Sequence, residues 1–392
     1  MTASGTPADV STKTSMDFDN LLHRLRTTAS GKRNQGDRLE RLTKLLLTHD
    51  SIQSRLYKKV YLWNEWDGRE GFGDIGIDLV AENVDGGMTA IQCKFYDEQS
   101  TIAKEKIDSF ISASDCEPFT HRIIVSTTDK WSENAAKMLE NRHIPVQRMG
   151  LQNFRDSNID WSTYSLDKSD EQQVGHKPHK ELRPHQEDAI TAALEHLQTY
   201  DRGQLIMACG TGKTYTAIRL AEKFAEQNGG HARVLFMVPS LALMSQSISE
   251  FSNEIEGPFH AYAVCSDSNV GREKKYGGAY ADLADLRVED LQLPATTDGA
   301  KLAAAMSINP LDEGLEVVFS TYHSIDAVSA AQSEGIGEFD LIICDEAHRT
   351  TGVTLADESE SNFVKIHDDK CVAGRKRVYM TATPKIFNED TK

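Results

Sequence analysis

The chain has 392 residues, of which 39% are hydrophobic and 26% charged, enough for two or three domains with cores of their own. A net charge of −17 and a pI near 5.2 argue against a uniformly basic nucleic-acid binder; the imbalance is −3 up to residue 165 and −14 beyond it, so any nucleic-acid contact rests on local patches. No run approaches the roughly 20 apolar residues of a membrane helix, and the N-terminus lacks the basic-then-apolar pattern of a signal peptide. The six cysteines (Cys93, Cys116, Cys209, Cys265, Cys344 and Cys371) are scattered without a CxxC pair, which points to a reducing cytoplasm rather than a disulfide framework or a zinc site.

Residues 1–16, rich in Thr, Ser and Ala, read as a disordered tail. A first domain follows over 17–165. Apolar residues at Leu39, Leu42, Leu45 and Leu46 have helical spacing within 36–47. Two strands, 75–81 and 89–95, flank Asp85-Gly86-Gly87 and read as a β-hairpin. A helix over 102–114, a buried strand over 122–127, a helix near 134–141 and a short strand over 146–148 complete a mixed α/β domain. Residues 166–180, polar and nearly free of apolar side chains, read as a linker. Beyond it, over 181–392, helices and strands alternate. The strand candidates are 204–208, 233–238, 260–265, 316–320, 341–344 and 377–381. Several are continuous apolar runs, as expected in a parallel sheet covered by helices on both faces. Residues 266–300, with Gly277-Gly278, read as an insertion.

Two segments carry a nucleotide signal. Met207-Ala-Cys-Gly-Thr-Gly-Lys-Thr214 follows an apolar run. Its Gly210, Thr211 and Gly212 can bend the backbone around phosphates, Lys213 can reach the β/γ-phosphates, and the Thr214 hydroxyl can ligate Mg²⁺. The strict phosphate-loop pattern begins with Gly, where this chain has Met207. Phe339-Asp-Leu-Ile-Ile-Cys-Asp-Glu-Ala-His348 is an apolar strand ending in acid. Asp345 can hold the magnesium through water, and Glu346 can polarise the attacking water as general base.

A third constellation lies in the hairpin. Gln92 and Lys94 share one strand face, and Asp78 lies across the turn. A carboxylate and an amide oxygen suit Mg²⁺, and a lysine can orient a water. Glu40 on the preceding helix adds a second carboxylate. Asp74 is a rival for Asp78, and Asp97-Glu98 reads as a solvated loop. Trp63, Trp66 and Trp131 can stack on bases or pack in a core, and the core reading is favoured.

Over 181–392 the ordered motifs resemble the superfamily 2 helicases and DNA translocases of DEAH-box type. Leu182-Arg-Pro-His-Gln186 resembles the element in which Gln186, beside Arg183, contacts adenine. Val238-Pro-Ser-Leu-Ala-Leu-Met-Ser-Gln246 and Ser320-Thr-Tyr322 resemble the motifs that contact a DNA strand. Asp345-Glu-Ala-His348 resembles the hydrolysis motif, and Thr381-Ala-Thr383 the motif that couples hydrolysis to movement. The family places ATP between two RecA-like lobes, the second supplying an arginine finger. That lobe is absent, and Arg349, Arg375 and Arg377 match no family role, so weak ATP binding and slow hydrolysis are expected. Gly73-Asp-Ile-Gly-Ile-Asp-Leu-Val80 followed by Ile91-Gln-Cys-Lys94 resembles the Mrr-like branch of the PD-(D/E)xK nucleases, where Gln replaces the usual Glu. The resemblance makes Asp78 and Gln92 metal ligands, Lys94 the partner of the attacking water, and Glu40 an assistant.

Trp63-Asn-Glu-Trp66 and Gln92-Cys-Lys-Phe-Tyr96 further resemble the N-terminus of the single-chain Type ISP restriction-modification enzymes. The fold implied is α/β: a mixed-sheet restriction-endonuclease-like domain, then a RecA-like doubly wound parallel sheet. The function implied is ATP-dependent restriction of double-stranded DNA with ATP and Mg²⁺, in a longer enzyme that also carries the second lobe, methyltransferase and target-recognition domains. Two other readings stay open. One is a helicase-nuclease of repair or phage defence without a methyltransferase. The other is a catalytically weak DNA-binding remnant.

Overall fold

The structure, a computed structural model, describes residues 8–69, 76–140, 142–165, 174–265, 287–308, 310–349, 362 and 364–382. It divides into two compact units, Met1–Pro178 and His179–Lys392, parting inside the segment read as a linker.

In the first unit, helices α1 (Ala8–Thr28) and α2 (Lys32–His49) precede a short α3 (Gln53–Leu56). Residues 8–16, read from composition as part of a tail, lie in α1. The sheet is β1 (Tyr57–Leu62), β2 (Leu79–Asn83), β3 (Met88–Lys94), β4 (Phe119–Ser126) and β5 (Val146–Met149), in that spatial order. β1, β2 and β3 pair antiparallel, whereas β3, β4 and β5 pair parallel, so the sheet is mixed. The expected helix over 102–114 is a 3₁₀ turn at Lys104–Lys106 followed by α4 (Asp108–Ala113). Then come α5 (Glu133–Leu139) and α6 (Leu151–Asp156). Two-residue strands β6 (Ile159–Asp160) and β7 (Gly175–His176) pair antiparallel. Val174, inside the segment read as a linker, is buried in this unit's core.

Alternation along the central strands builds two cores. Leu79, Ala81, Ile91, Ile123 and Val125 face the leucine rows of α1 and α2, and Phe18, Phe154 and Trp161 stack beside them. Val80, Ala90 and Ile124 face α4 and α5, together with Trp66 and Phe119. Trp66 is buried in that core, and Trp63 and Trp131 pack against it, as the core reading of these tryptophans anticipates.

In the second unit the elements are α7 (Pro184–Thr199), β8 (Arg202–Ile206), α8 (Lys213–Gln227), β9 (His231–Val238), α9 (Leu241–Glu254), β10 (Phe259–Val264), β11 (Ala295–Thr296), α10 (Gly299–Ile308), β12 (Gly314–Thr321), α11 (Ile325–Ala331), β13 (Phe339–Cys344) and β14 (Gly374–Thr381). The sheet is parallel throughout, in the order β11-β10-β12-β9-β13-β14-β8. All six expected strands are present, each shifted by at most a few residues. Val234 to Val238, Val317 to Phe319 and Leu341 to Cys344 are fully buried, which is why they read as unbroken apolar runs. β11 was not anticipated; it lies within 266–300, of which residues 266–286 are outside the described residues. Among the described residues no helix is long and apolar enough to cross a membrane.

Candidate active sites

In the first unit, Asp78 stands one residue before β2 but already lies in the ladder. Its N–H donates to Ile91 O at 2.9 Å, and its Oδ2 accepts from the Cys93 N–H at 2.7 Å. The carboxylate is therefore aimed at the end of β3, where Gln92 and Lys94 lie. Gln92 is 2% exposed; its Nε2 donates to Gly76 O at 2.7 Å, while its Oε1 is buried with no hydrogen-bond partner. A buried acceptor left unpaired is costly, roughly 1–3 kcal/mol, unless something absent from the bare chain satisfies it.

Glu40 on α2 completes the group. Burial first, and the Asp78 carboxylate second, push its carboxyl up to about 7. Burial lowers the Lys94 ammonium below its usual value, against the opposing pull of Asp78. Asp78 is thus within electrostatic reach of both Glu40 and Lys94, and Gln92 lies two residues before Lys94 on β3. The donor set is two carboxylates and one amide; among the described residues no cluster of three or more His, Cys, Asp or Glu side chains gathers at one place. Oxygen donors of this kind fit Mg²⁺, and the orphaned Gln92 Oε1 fits a missing cation. The rival Asp74 lies outside the described residues.

In the second unit, β8 leads into the loop and α8 begins at Lys213. Gly210 and Gly212 have φ of 75° and 84°, a region that L side chains rarely adopt, and a Cβ on Gly212 would meet Gln186 Nε2 at 2.5 Å. Met207, at the position of the missing first glycine, is buried, and its N–H donates to Thr381 O at 3.0 Å. The residue thus anchors the loop to β14 instead of turning it. The loop residues Ala208 to Gly210 are exposed ahead of the α8 N-terminus, whose unpaired N–H groups and dipole favour an anion.

β13 carries the acid to the same carboxyl edge. Lys213 Nζ lies 3.3 Å from Glu346 Oε1, so residues far apart in the chain meet. Asp345 is 7% exposed, and burial raises its carboxyl to about 6 against the hydrogen bond from the Glu346 N–H; the Glu346 charge adds to the rise and Lys213 opposes it. Glu346 has φ of 49°, the one positive value for a non-glycine among the described residues. Its Oε2 lies 3.2 Å from His348 Nδ1, and that nitrogen is also 3.2 Å from Thr381 Oγ1. The hydrolysis motif and the coupling motif are therefore in contact; Thr383 lies outside the described residues.

Several side chains are placed differently from a reading by motif. Gln186 is 3% exposed; its Oε1 accepts from the Arg183 N–H at 2.9 Å and its Nε2 donates to Thr211 O at 3.0 Å, so its amide braces the phosphate loop, while Arg183 is exposed. In the first strand-contact motif, Ser240 caps α9. In the second, Tyr322 is fully buried and its hydroxyl donates to Asp345 O at 2.8 Å, an inward contact that no periodicity signals. Arg375 pairs with Asp340 at 2.9 Å, and Arg377 is buried against Asp369 and Val372 O; the Arg349 side chain is outside the described residues.

Comparison with known proteins adds the following. Residues 48–171 match the restriction endonuclease family, and residues 179–386 match the family described as Type III restriction enzyme, res subunit. Among solved structures, the ATP-dependent Type ISP restriction-modification enzyme LlaBIII bound to DNA aligns with a TM-score of 0.79 at 36% identity, over 96% of this chain and 23% of that one. A nuclease-deletion mutant of the Type ISP enzyme LlaGI, in complex with a DNA substrate mimic, aligns at 38% identity over 54% of this chain and 19% of that one, with a TM-score of 0.43. No curated protein matches. The chain thus spans less than a quarter of the solved relatives' length.

Proposed function

Because this chain belongs to the Type III restriction-enzyme res-subunit family, with a restriction-endonuclease domain ahead of the matched region, we propose that it is the nuclease and first motor lobe of an ATP-dependent DNA restriction enzyme. The observation that carries the reading is the meeting of Lys213 with Asp345 and Glu346 on a parallel sheet, in a chain whose other unit has Asp78 within electrostatic reach of both Glu40 and Lys94. Double-stranded DNA is the proposed substrate, and the neighbour solved on DNA supports it.

In the nuclease, Asp78, Gln92 and Glu40 would hold a divalent cation, which when bound supplies Lewis acidity to the scissile phosphate. Lys94 donates to the attacking water and offsets charge on the phosphate. The water oxygen adds to phosphorus as one P–O bond of the backbone breaks and the departing oxygen takes a proton. In the motor, Gly210 to Gly212 and the α8 N-terminus wrap the phosphates, Lys213 meets the β/γ-oxygens, and Thr214 and Asp345 would hold the ion that accompanies ATP. Glu346 polarises the attacking water. Gln186 and Arg183 are assigned to adenine; with both Gln186 N–H bonds directed at loop carbonyls, the second lone pair on its Oε1 remains for the base.

Turnover in this chain is proposed to be slow. An arginine finger can be worth roughly 10³–10⁵ in rate, and Arg375 and Arg377 are both held in ion pairs.

Two substitutions separate the halves. Lys94→Ala is expected to lower Mg²⁺-dependent plasmid nicking by at least about 100-fold and leave ATP hydrolysis unchanged; Lys213→Ala is expected to do the reverse. Nicking that survives Lys94→Ala means the nuclease residues are misassigned, and hydrolysis that survives Lys213→Ala removes the motor reading.

A further inference from the structure

The peptide between Asp345 and Glu346 is held from several sides. The Asp345 N–H continues the β9 ladder by donating to Met237 O at 2.9 Å, and the Glu346 N–H donates to Asp345 Oδ1 at 2.9 Å. The next step of the chain is the left-handed turn at Glu346, a conformation that is strained for a non-glycine residue and persists only where its surroundings fix it. The Asp345 carbonyl is the group whose direction sets that turn. It accepts from the Tyr322 hydroxyl, which reaches it from the 3₁₀ turn Tyr322–Ser324 that follows β12. Tyr322 is fully buried in the core cluster that also contains Cys344 and Ala347, so its ring is fixed and its hydroxyl has a set aim. The residue is thereby withdrawn from any nucleic-acid strand, despite its place in a strand-contact motif.

We propose that Tyr322 is a positioning residue for nucleotide hydrolysis: by holding the Asp345 carbonyl it keeps Glu346 left-handed, with its carboxylate between Lys213 and His348. The inference rests on the ATP-hydrolysis reading above. It also gives the segment after β12 a direct mechanical hold on the general base, through one hydrogen bond.

Tyr322→Phe removes the hydroxyl and keeps the ring. Single-turnover hydrolysis, with the chain in excess over labelled ATP, is expected to slow about tenfold, equivalent to about 1.4 kcal/mol. The Kd for ATP is expected to stay within about twofold, because the loop that grips the phosphates does not use this bond. In a Glu346→Gln background the Phe substitution is expected to add almost nothing, since both changes act through one carboxylate. Retained ATP affinity reports that the variant is folded. A wild-type rate in Tyr322→Phe, a parallel loss of rate and affinity, or full additivity with Glu346→Gln each overturns the assignment. Wild-type hydrolysis no faster than that of Lys213→Ala is a different failure, because it removes the ATP reading itself.

Discussion

The two sites solve one electrostatic problem in opposite ways. Both gather acids at least partly out of water, and both raise a carboxyl: Glu40 to about 7 and Asp345 to about 6, each chiefly through burial. In the second unit the neighbouring acid already has company, since Glu346 lies against the Lys213 ammonium and the His348 ring. In the first, Glu40 makes no ion pair among the described residues and feels the Asp78 carboxylate, and the Gln92 oxygen has no partner. The site in the second unit is closed by its own side chains, whereas the proposed nuclease site leaves the Gln92 oxygen open to a ligand. Removing one support should therefore be tolerated in the second unit, and small changes in ligand charge should be felt strongly in the first.

The largest expected effect follows from Glu40. A carboxyl raised to about 7 is protonated at pH 6 and must lose its proton to ligate a cation. Mg²⁺ affinity, read by calorimetry on the chain, is expected to rise about tenfold per pH unit below 7 and level off above it. Glu40→Gln should flatten that dependence. The metal-free stability runs the other way: the folded state keeps a proton that the unfolded chain releases near 4.5, so stability falls as pH rises from about 4.5 to 7. A pH-independent Mg²⁺ affinity would detach Glu40 from the metal and weaken the contrast.

Next in size is the amide. Gln92→Glu places a carboxylate where the unpaired oxygen now sits. Nicking is expected to reach half its maximum at about tenfold lower Mg²⁺, with a loss of metal-free stability because a third acid joins Glu40 and Asp78. Unchanged metal demand would mean that the Gln92 oxygen faces only an ordered water.

How much of this was legible beforehand follows from what leaves a periodic mark. The central strands β9, β12 and β13 are buried on both faces and announce themselves as apolar runs. The edge strand β1, Tyr57-Lys-Lys-Val-Tyr-Leu62, buries only Val60, so it carries no pattern and was missed. β11 is too short to show one. The phosphate loop, Asp345 and the Asp78, Gln92 and Lys94 spacing are legible because the chemistry fixes residue type as well as position. The inward roles of Tyr322, Gln186 and Met207 were not legible. Each depends on which way a side chain turns in the folded core, and the strand-contact resemblance gives no sign that Tyr322 turns inward.

The smallest effect is the sharpest test of redundancy. Thr381 Oγ1 and Glu346 Oε2 both lie 3.2 Å from His348 Nδ1, a nitrogen with one proton to give or one lone pair to offer. Thr381→Val keeps the shape of the strand end and its carbonyl bond from Met207, but removes the hydroxyl. His348 then keeps Glu346 as a partner, while Glu346 retains Lys213 and the Tyr322-held peptide. With about 1 kcal/mol at stake in one neutral hydrogen bond, single-turnover ATP hydrolysis should fall no more than about fivefold, and plasmid nicking should not change. A loss of 100-fold would mean that the His348 to Thr381 contact is the main support of the general base. The second site would then depend on a single bond, as the first is proposed to depend on a cation.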